Sequence, residues 1–238
     1  MKKNHFLLLV LSCFGFSSIA QLSGTDYGKN FANLMNTVNP EADIEGTPYL
    51  FDEWAGGVIV FRDEKGGEFD EIKIDLMNNQ LEIMYLNSEK VLPYYEFSKV
   101  KLNHPNTHPN TFFQVASRFK YKEERLKGFA KVTPIGEDFK IIEVHTIRVI
   151  QSSMDAKIVG AKHKKRYVKE TKLYISKKGK VHRVKKKKKF FKLLSRKQKK
   201  LKTYIENNDL NIKNETDLIK IVEFYQKNIL EKTNLKRP

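Results

Sequence analysis

The chain has 238 residues, with 45 Lys/Arg against 28 Asp/Glu and a formal charge of +17. Its one cysteine, Cys13, excludes a disulfide scaffold, Cys-x-x-Cys redox chemistry and thiolate metal sites from the rest of the sequence. Residues 161–204 hold 21 Lys/Arg and a single acid, Glu170, whereas residues 21–160 hold 16 basic and 21 acidic side chains, so an acidic body carries one intensely basic segment.

Residues 1–20 read as an export signal. Lys2 and Lys3 give a positive start, and residues 6–16 are apolar apart from Ser12 and Gly15. Ser18-Ile19-Ala20 places small residues at −3 and −1 of a cut between Ala20 and Gln21. That cut accounts for the stretch better than lipidation at Cys13, where Val10 rather than Leu stands at −3. The expected location is extracytoplasmic, periplasmic or secreted. No later run approaches the roughly 20 apolar residues of a spanning helix. Residues 21–50, with Pro40 and Pro48, read as an irregular or short helical lead-in.

Residues 51–160 read as a β-rich body. The segments 58–62, 71–76, 81–86, 94–102, 112–119, 128–133 and 139–150 have strand character, most with apolar positions alternating at period two. Pro93 is placed at the start of the fourth, where a proline is tolerated. Asn and Gly turns between short strands predict an α+β fold with an antiparallel β-meander, a sandwich or small barrel.

Residues 161–230 read as a basic hairpin followed by two short helices, and 231–238 as a frayed tail. Strands at 171–176 and 180–184 flank Lys177-Lys178-Gly179, with the glycine supplying positive φ. Phe190, Phe191, Leu193 and Leu194 then fall at helical spacing, with the preceding lysines as their solvated lead-in. Ser195 with Gln198 matches a capping box, Asn207-Asn208 a helix end, and Asn214 with Asp217 a second start. Leu218, Ile221, Val222 and Tyr225 give the last helix one apolar face.

The stretches GTPYLFDEW (46–54), KIDLMNNQLEIMY (73–85) and the long C-terminal run 172–225 resemble an exported bacterial family. Its members share a Gly-Ser/Thr-Pro-Tyr-Leu start, a lysine-rich hairpin and a helical close. Ile74-Asp75-Leu76 departs from the family's strand, where Arg-Tyr-Asn is expected. The resemblance implies export and a β-rich body with terminal helices, and it brings no activity, cofactor or catalytic residue.

The tandem HPNTHPNT (104–111) spaces His104 and His108 by four, but Pro105 and Pro109 forbid the helix that would aim both at one metal. A hydrophilic loop explains it better. The acid pairs Asp52-Glu53, Asp63-Glu64 and Asp70-Glu71 sit at turns and read as solvated punctuation rather than catalytic carboxylates. Tyr49, Phe51 and Trp54 read as packing residues. There is no Gly-x-Ser-x-Gly elbow and no phosphate-cradling glycine loop. The basic segment remains. Its aromatic residues read as core, and Lys185, Lys186, Lys187, Lys188, Lys189, Arg196 and Lys197 as a polyanion-contacting face. The expectation is a non-enzymatic extracytoplasmic protein without a cofactor. It would meet an anionic membrane surface, a surface glycan or an envelope protein through residues 161–204. Export removes genomic nucleic acid as the default partner. The alternative is a β-barrel or sandwich that binds a small ligand in its mouth.

Overall fold

The computed structural model describes residues 44–104, 107–108, 110–151, 165–194 and 198–230. The signal segment, most of the lead-in, Ser195, Arg196, Lys197 and the tail lie outside the described residues. The chain divides into two units, Met1–Leu34 and Met35–Pro238, and every described residue belongs to the second.

That unit is α+β, mostly strands in one large mixed sheet with three short helices toward the C-terminus. The strands are β1 (Ile44–Glu45), β2 (Ala55–Phe61), β3 (Gly66–Asp75), β4 (Gln80–Tyr85), β5 (Ser88–Pro93), β6 (Phe97–Leu102) and β7 (Phe112–Val115). They continue as β8 (Lys120–Tyr121), β9 (Glu124–Arg125), β10 (Phe129–Ile135), β11 (Phe139–Gln151), β12 (Lys165–Lys177) and β13 (Lys180–Arg183). The helices are α1 (Lys187–Leu194), α2 (Gln198–Asn207) and α3 (Glu215–Tyr225), the last running on into a π-helical turn, Gln226–Leu230.

The sheet runs β1-β12-β11-β10-β7-β6-β2-β3-β4-β5, with β13 also paired to β12; β8 and β9 form a separate hairpin. This departs from an antiparallel meander closing into a sandwich or small barrel. β6 returns to the free edge of β2, β1 joins β12 in parallel, and no ladder among the described residues connects β5 to the other end. The expected fourth strand, 94–102, begins only at Phe97, and an unexpected strand, β5, precedes it. Leu86 (φ 50°) and Asn87 (φ 57°) both take left-handed conformations, making a two-residue hairpin turn that sends β5 back along β4. Pro93 therefore closes β5 instead of opening the next strand, at a sheet edge where its missing N–H costs little.

Turn chemistry sets the other registers. Asp75 accepts from the amides of Met77 and Asn78 at 2.7 and 3.1 Å and from the Asn78 side chain, which fixes the β3–β4 turn. Lys178 and Gly179 both have positive φ between the paired Lys177 and Lys180, as the hairpin reading requires. The start of α3 and the end of α2 follow their local residues. Asn214 accepts from the Asp217 amide at 3.0 Å to start α3, with Glu215 and Asp217 acidic in its first turn. After α2, Asp209 (φ 47°) turns left-handed and the Leu210 amide reaches back to the Ile205 carbonyl.

β10, β11 and β12 are covered on both faces. Ile141 and Ile175 face Phe190, Phe191 and Leu194 of α1, Leu201 of α2 and Leu218, Ile221 and Val222 of α3. The adjacent residues Ile142 and Tyr174 face the other way, where Val132, Val144, Phe119, Tyr121 and Leu126 gather beneath the β8–β9 hairpin. Three helices, not two, close the chain, because lysines 187–189 form the first turn of α1 instead of a lead-in to it.

A charged tie fastens α3 to the sheet. Lys131 of β10 lies 2.5 Å from Glu215 at the start of α3 and 3.8 Å from Glu143 of β11, all three with little solvent contact. Burial alone would push the Glu143 carboxyl up, but His145 and Lys131 hold it below the usual carboxylate range. Burial pushes the Glu215 carboxyl up, against the pull of Lys131. Removing one member strands the others in a poorly solvated place. Lys131→Met is expected to destabilise the protein by about 3 kcal/mol, measured by urea unfolding, and adding Glu143→Gln and Glu215→Gln to recover most of it.

Candidate polyanion face and its cleft

The buried side of α1 follows from its spacing. Phe190, Phe191 and Leu194 are 3%, 7% and 1% exposed, while lysines 185–189 and Lys192 are all exposed. Period 3.6 puts the apolar residues on the sheet and every lysine toward solvent. The helix is also held at its far end, where the Lys177 ammonium donates to the Leu193 carbonyl at 3.0 Å.

The start of α1 runs against ordinary helix chemistry. The Lys186 carbonyl accepts from the amides of Lys189 and Phe190 at 3.1 Å, so Lys186 stands at the N-cap. Lysine has no acceptor to offer the free amides of the first turn. That turn has no acid, and three lysines occupy it where the helix dipole favours negative charge. None of lysines 185–189 forms an ion pair with a described residue. Lys199, Lys200 and Lys202 of α2 are exposed as well. Of the seven residues expected at a polyanion face, five are thus placed together, and Arg196 and Lys197 lie outside the described residues.

Beside this start lies a cleft of about 330 Å³. Tyr121 and Lys122 of the β8–β9 hairpin form one wall, and Lys189, Phe190 and Leu193 of α1 form the other. Between them run Val181, His182, Arg183 and Val184, with Ile175 beneath. Val181 and Arg183 pair with Ser176 and Tyr174, and His182 with Ile175, so residues from both faces of β13 line the space. The cleft therefore follows the outer edge of β13. Its lining includes Lys122, Arg183, Lys189 and His182 and no acid. Burial, with Lys177 and Lys180 nearby, holds the His182 ring below its ordinary pKa.

Most of the other residues singled out in the sequence have structural roles, and the pair Asp70-Glu71, expected at a turn, lies inside β3. His104 stacks on Phe51 at 4.1 Å, and its carbonyl accepts from the Thr107 amide as that of His108 does from Thr111. No cluster of three His, Cys, Asp or Glu able to hold a metal occurs among the described residues. Asp63 caps its own turn through the Lys65 amide, and Asp52 reaches Lys169 at 3.5 Å. Phe51 also packs edge-on against Phe113. Tyr49 and Trp54 hold the Lys73 ammonium between them, 4.7 Å from each ring.

Glu82 is the group that sequence reasoning missed. It is fully buried on β4, opposite Lys73 in register, with the Tyr49 hydroxyl and the Glu89 carboxyl as the polar groups beside it among the described residues. Lys73 is drawn away to the two aromatic rings. Desolvation raises the Glu82 carboxyl to about 7, with Asp75 and Glu89 adding to the rise and the Tyr49 hydroxyl beside it opposing it. The one signal in the sequence is a charge inside Leu81-Glu82-Ile83, and the Tyr49 hydroxyl beside it comes from a distant part of the chain.

No protein-family model, curated protein or solved structure matches this chain.

A carboxyl with a raised folded pKa binds its proton more tightly folded than unfolded. Its contribution is full below the unfolded value near 4.5 and is lost as pH climbs toward about 7. Glu82→Gln is therefore expected to flatten the fall in stability between pH 5 and pH 8 by about 1–3 kcal/mol, measured by denaturant unfolding at each pH. An identical fall in both proteins would refute the burial of a protonated Glu82.

Proposed function

We propose that this is a non-enzymatic, extracytoplasmic protein that associates peripherally with an anionic surface through the basic face built by β13, α1 and α2. The observation that carries the reading is the start of α1. Five consecutive lysines stand exposed, without an acid in the first turn or an ion-pair partner among the described residues, at a helix end whose dipole repels them. Local stability alone selects Ser, Asp or Glu there, so the lysines act against the helix they begin. An anionic partner relieves the mutual repulsion and the dipole conflict together. Lipid headgroups attract such clusters by about 1 kcal/mol for each Lys or Arg near the surface, so a few lysines suffice for reversible association.

The export signal supplies the setting, since outside the cytoplasm the available polyanions are headgroups, phosphorylated glycans and acidic proteins. The ligand-binding barrel has weaker support. Interior positions are occupied by Phe97, Phe113, Phe129 and Phe139, each fully buried.

Lys186→Ser separates binding from stability. Restoring an N-cap acceptor is expected to stabilise the protein by about 1 kcal/mol. The lost charge is expected to weaken sedimentation with phosphatidylglycerol-containing vesicles about fivefold, and binding of the parent protein is expected to fall steeply with salt. Equal sedimentation with neutral and anionic vesicles would refute the proposal.

A further inference from the structure

The hydrogen-bond phase of the β12–β13 hairpin fixes what the cleft can hold. The Val184 amide donates to the Leu173 carbonyl at 2.9 Å, so Leu173 and Val184 form a hydrogen-bonded pair. Along the β12–β13 register, Ile175 with His182 is the next such pair, and Lys177 with Lys180 closes the turn. Val181 and Arg183 therefore belong to the alternate pairs, whose N–H and C=O groups point away from β12. They point along the outer edge of β13, which is the line of the cleft. No described residue bonds to these four groups.

An open strand edge is ordinarily hidden or made very short, because it templates pairing with another chain. Here it lies in a slot instead, with the β8–β9 turn on one side and α1 on the other. Both walls have an apolar surface and a cation: Tyr121 with Lys122, and Phe190 and Leu193 with Lys189. Arg183 and His182 project from the strand itself, to opposite faces.

We infer that β13 accepts an extended acidic peptide segment of a partner protein by strand addition. The segment's backbone pairs with Val181 and Arg183, and its carboxylates meet Lys122, Arg183 and Lys189. The backbone groups decide between this occupant and a lipid chain. An acyl chain seated on the edge would strip water from four polar groups and bond to none, a loss of about tenfold in affinity for each. A peptide strand satisfies all four and spends its own backbone groups in doing so. The space is also of the right order for about three residues of extended chain, each roughly 100–130 Å³. This site is separate from the vesicle-binding reading above, since it needs the edge and not merely the charge.

The test is fluorescence anisotropy with a labelled eight-residue peptide of alternating Glu and Val. Three rivals are compared: the same peptide N-methylated at alternate backbone nitrogens, the peptide with Lys for Glu, and dodecyl phosphate. The acidic peptide is expected to bind, the N-methylated form at least tenfold more weakly, and the lysine form not at all. Dodecyl phosphate is expected to leave the bound peptide in place. Val181→Pro removes one outward N–H without touching a β12–β13 hydrogen bond, and is expected to weaken peptide binding about tenfold while leaving vesicle sedimentation unchanged. Equal binding of the parent and N-methylated peptides would overturn strand addition in favour of plain charge attraction. Displacement by dodecyl phosphate would overturn it in favour of a lipid. Failure of the parent protein to bind the acidic peptide, with its vesicle binding intact, would overturn this site and leave the peripheral association standing.

Discussion

Two neighbouring residues of β12, Tyr174 and Ile175, point into different cores, and most of the C-terminal architecture depends on that. A strand at period two can bury both faces only if something covers each. Ile175 is covered by the three helices and Tyr174 by the β8–β9 hairpin, whose Tyr121 meets it edge-on at 5.5 Å. β12 is held along its whole length by thirteen paired positions with β11, and its other edge takes β13 at one end and β1 at the other. The hairpin that bears the cleft is thus anchored to a strand paired along its whole length, so its edge is presented from a firm base.

The same burial decides where the charge goes. Fully burying Phe190, Phe191 and Leu194 is worth about 2 kcal/mol each as a gross upper figure. Lysines in the first turn of a helix cost a few tenths to about 1 kcal/mol apiece at the surface. The apolar term wins, so α1 forms and docks despite its adverse start, and the lysines have no freedom except to face water. A charged patch produced this way is a fixed feature of the folded surface. Lys177 shows the contrast. At the other end of α1 a lysine agrees with the dipole, and it is also the one that bonds to the helix.

Legibility in the sequence tracked how local each cause was. The Lys178-Gly179 turn, the Asn214 cap and the alternation of β3 and β4 are written in a few adjacent residues, and the structure has them. The apolar face of α1 was equally plain, because 190, 191 and 194 fall on one side of any helix. β5 was missed because Leu86 is not a turn-forming residue, yet it takes a positive φ and is 82% exposed. Neighbouring pairing overrode its preference. The first half of β12 was missed because Lys165, Arg166, Lys169 and Glu170 show little apolar alternation, and only β11 makes that stretch a strand. Sheet order was not legible at all. That β6 returns to β2, and that two residues of β1 pair in parallel with β12, are facts about distant edges.

The candidate site divides along the same line. Its cations were visible as a run, and a run of lysines says that a surface is positive and nothing about shape. The cleft needs three elements at once: a turn at Lys122, a strand at 181–183 and a helix at 189–193. Its most discriminating feature is not a side chain. Whether Val181 or His182 turns its amide outward depends on the parity of the hairpin, and inserting one residue at Lys178-Gly179 would exchange them. Glu82 shows the complementary case, a single acid inside an apolar strand that was unremarkable until Tyr49, Trp54 and Lys73 closed over its neighbourhood. In both places the chemistry comes from backbone register, which composition does not carry, and that register is set by a short turn, Lys178-Gly179 for β13 and residues 76–79, held by Asp75, for β4. The route from sequence to site in this protein therefore passes through its turns before its charges.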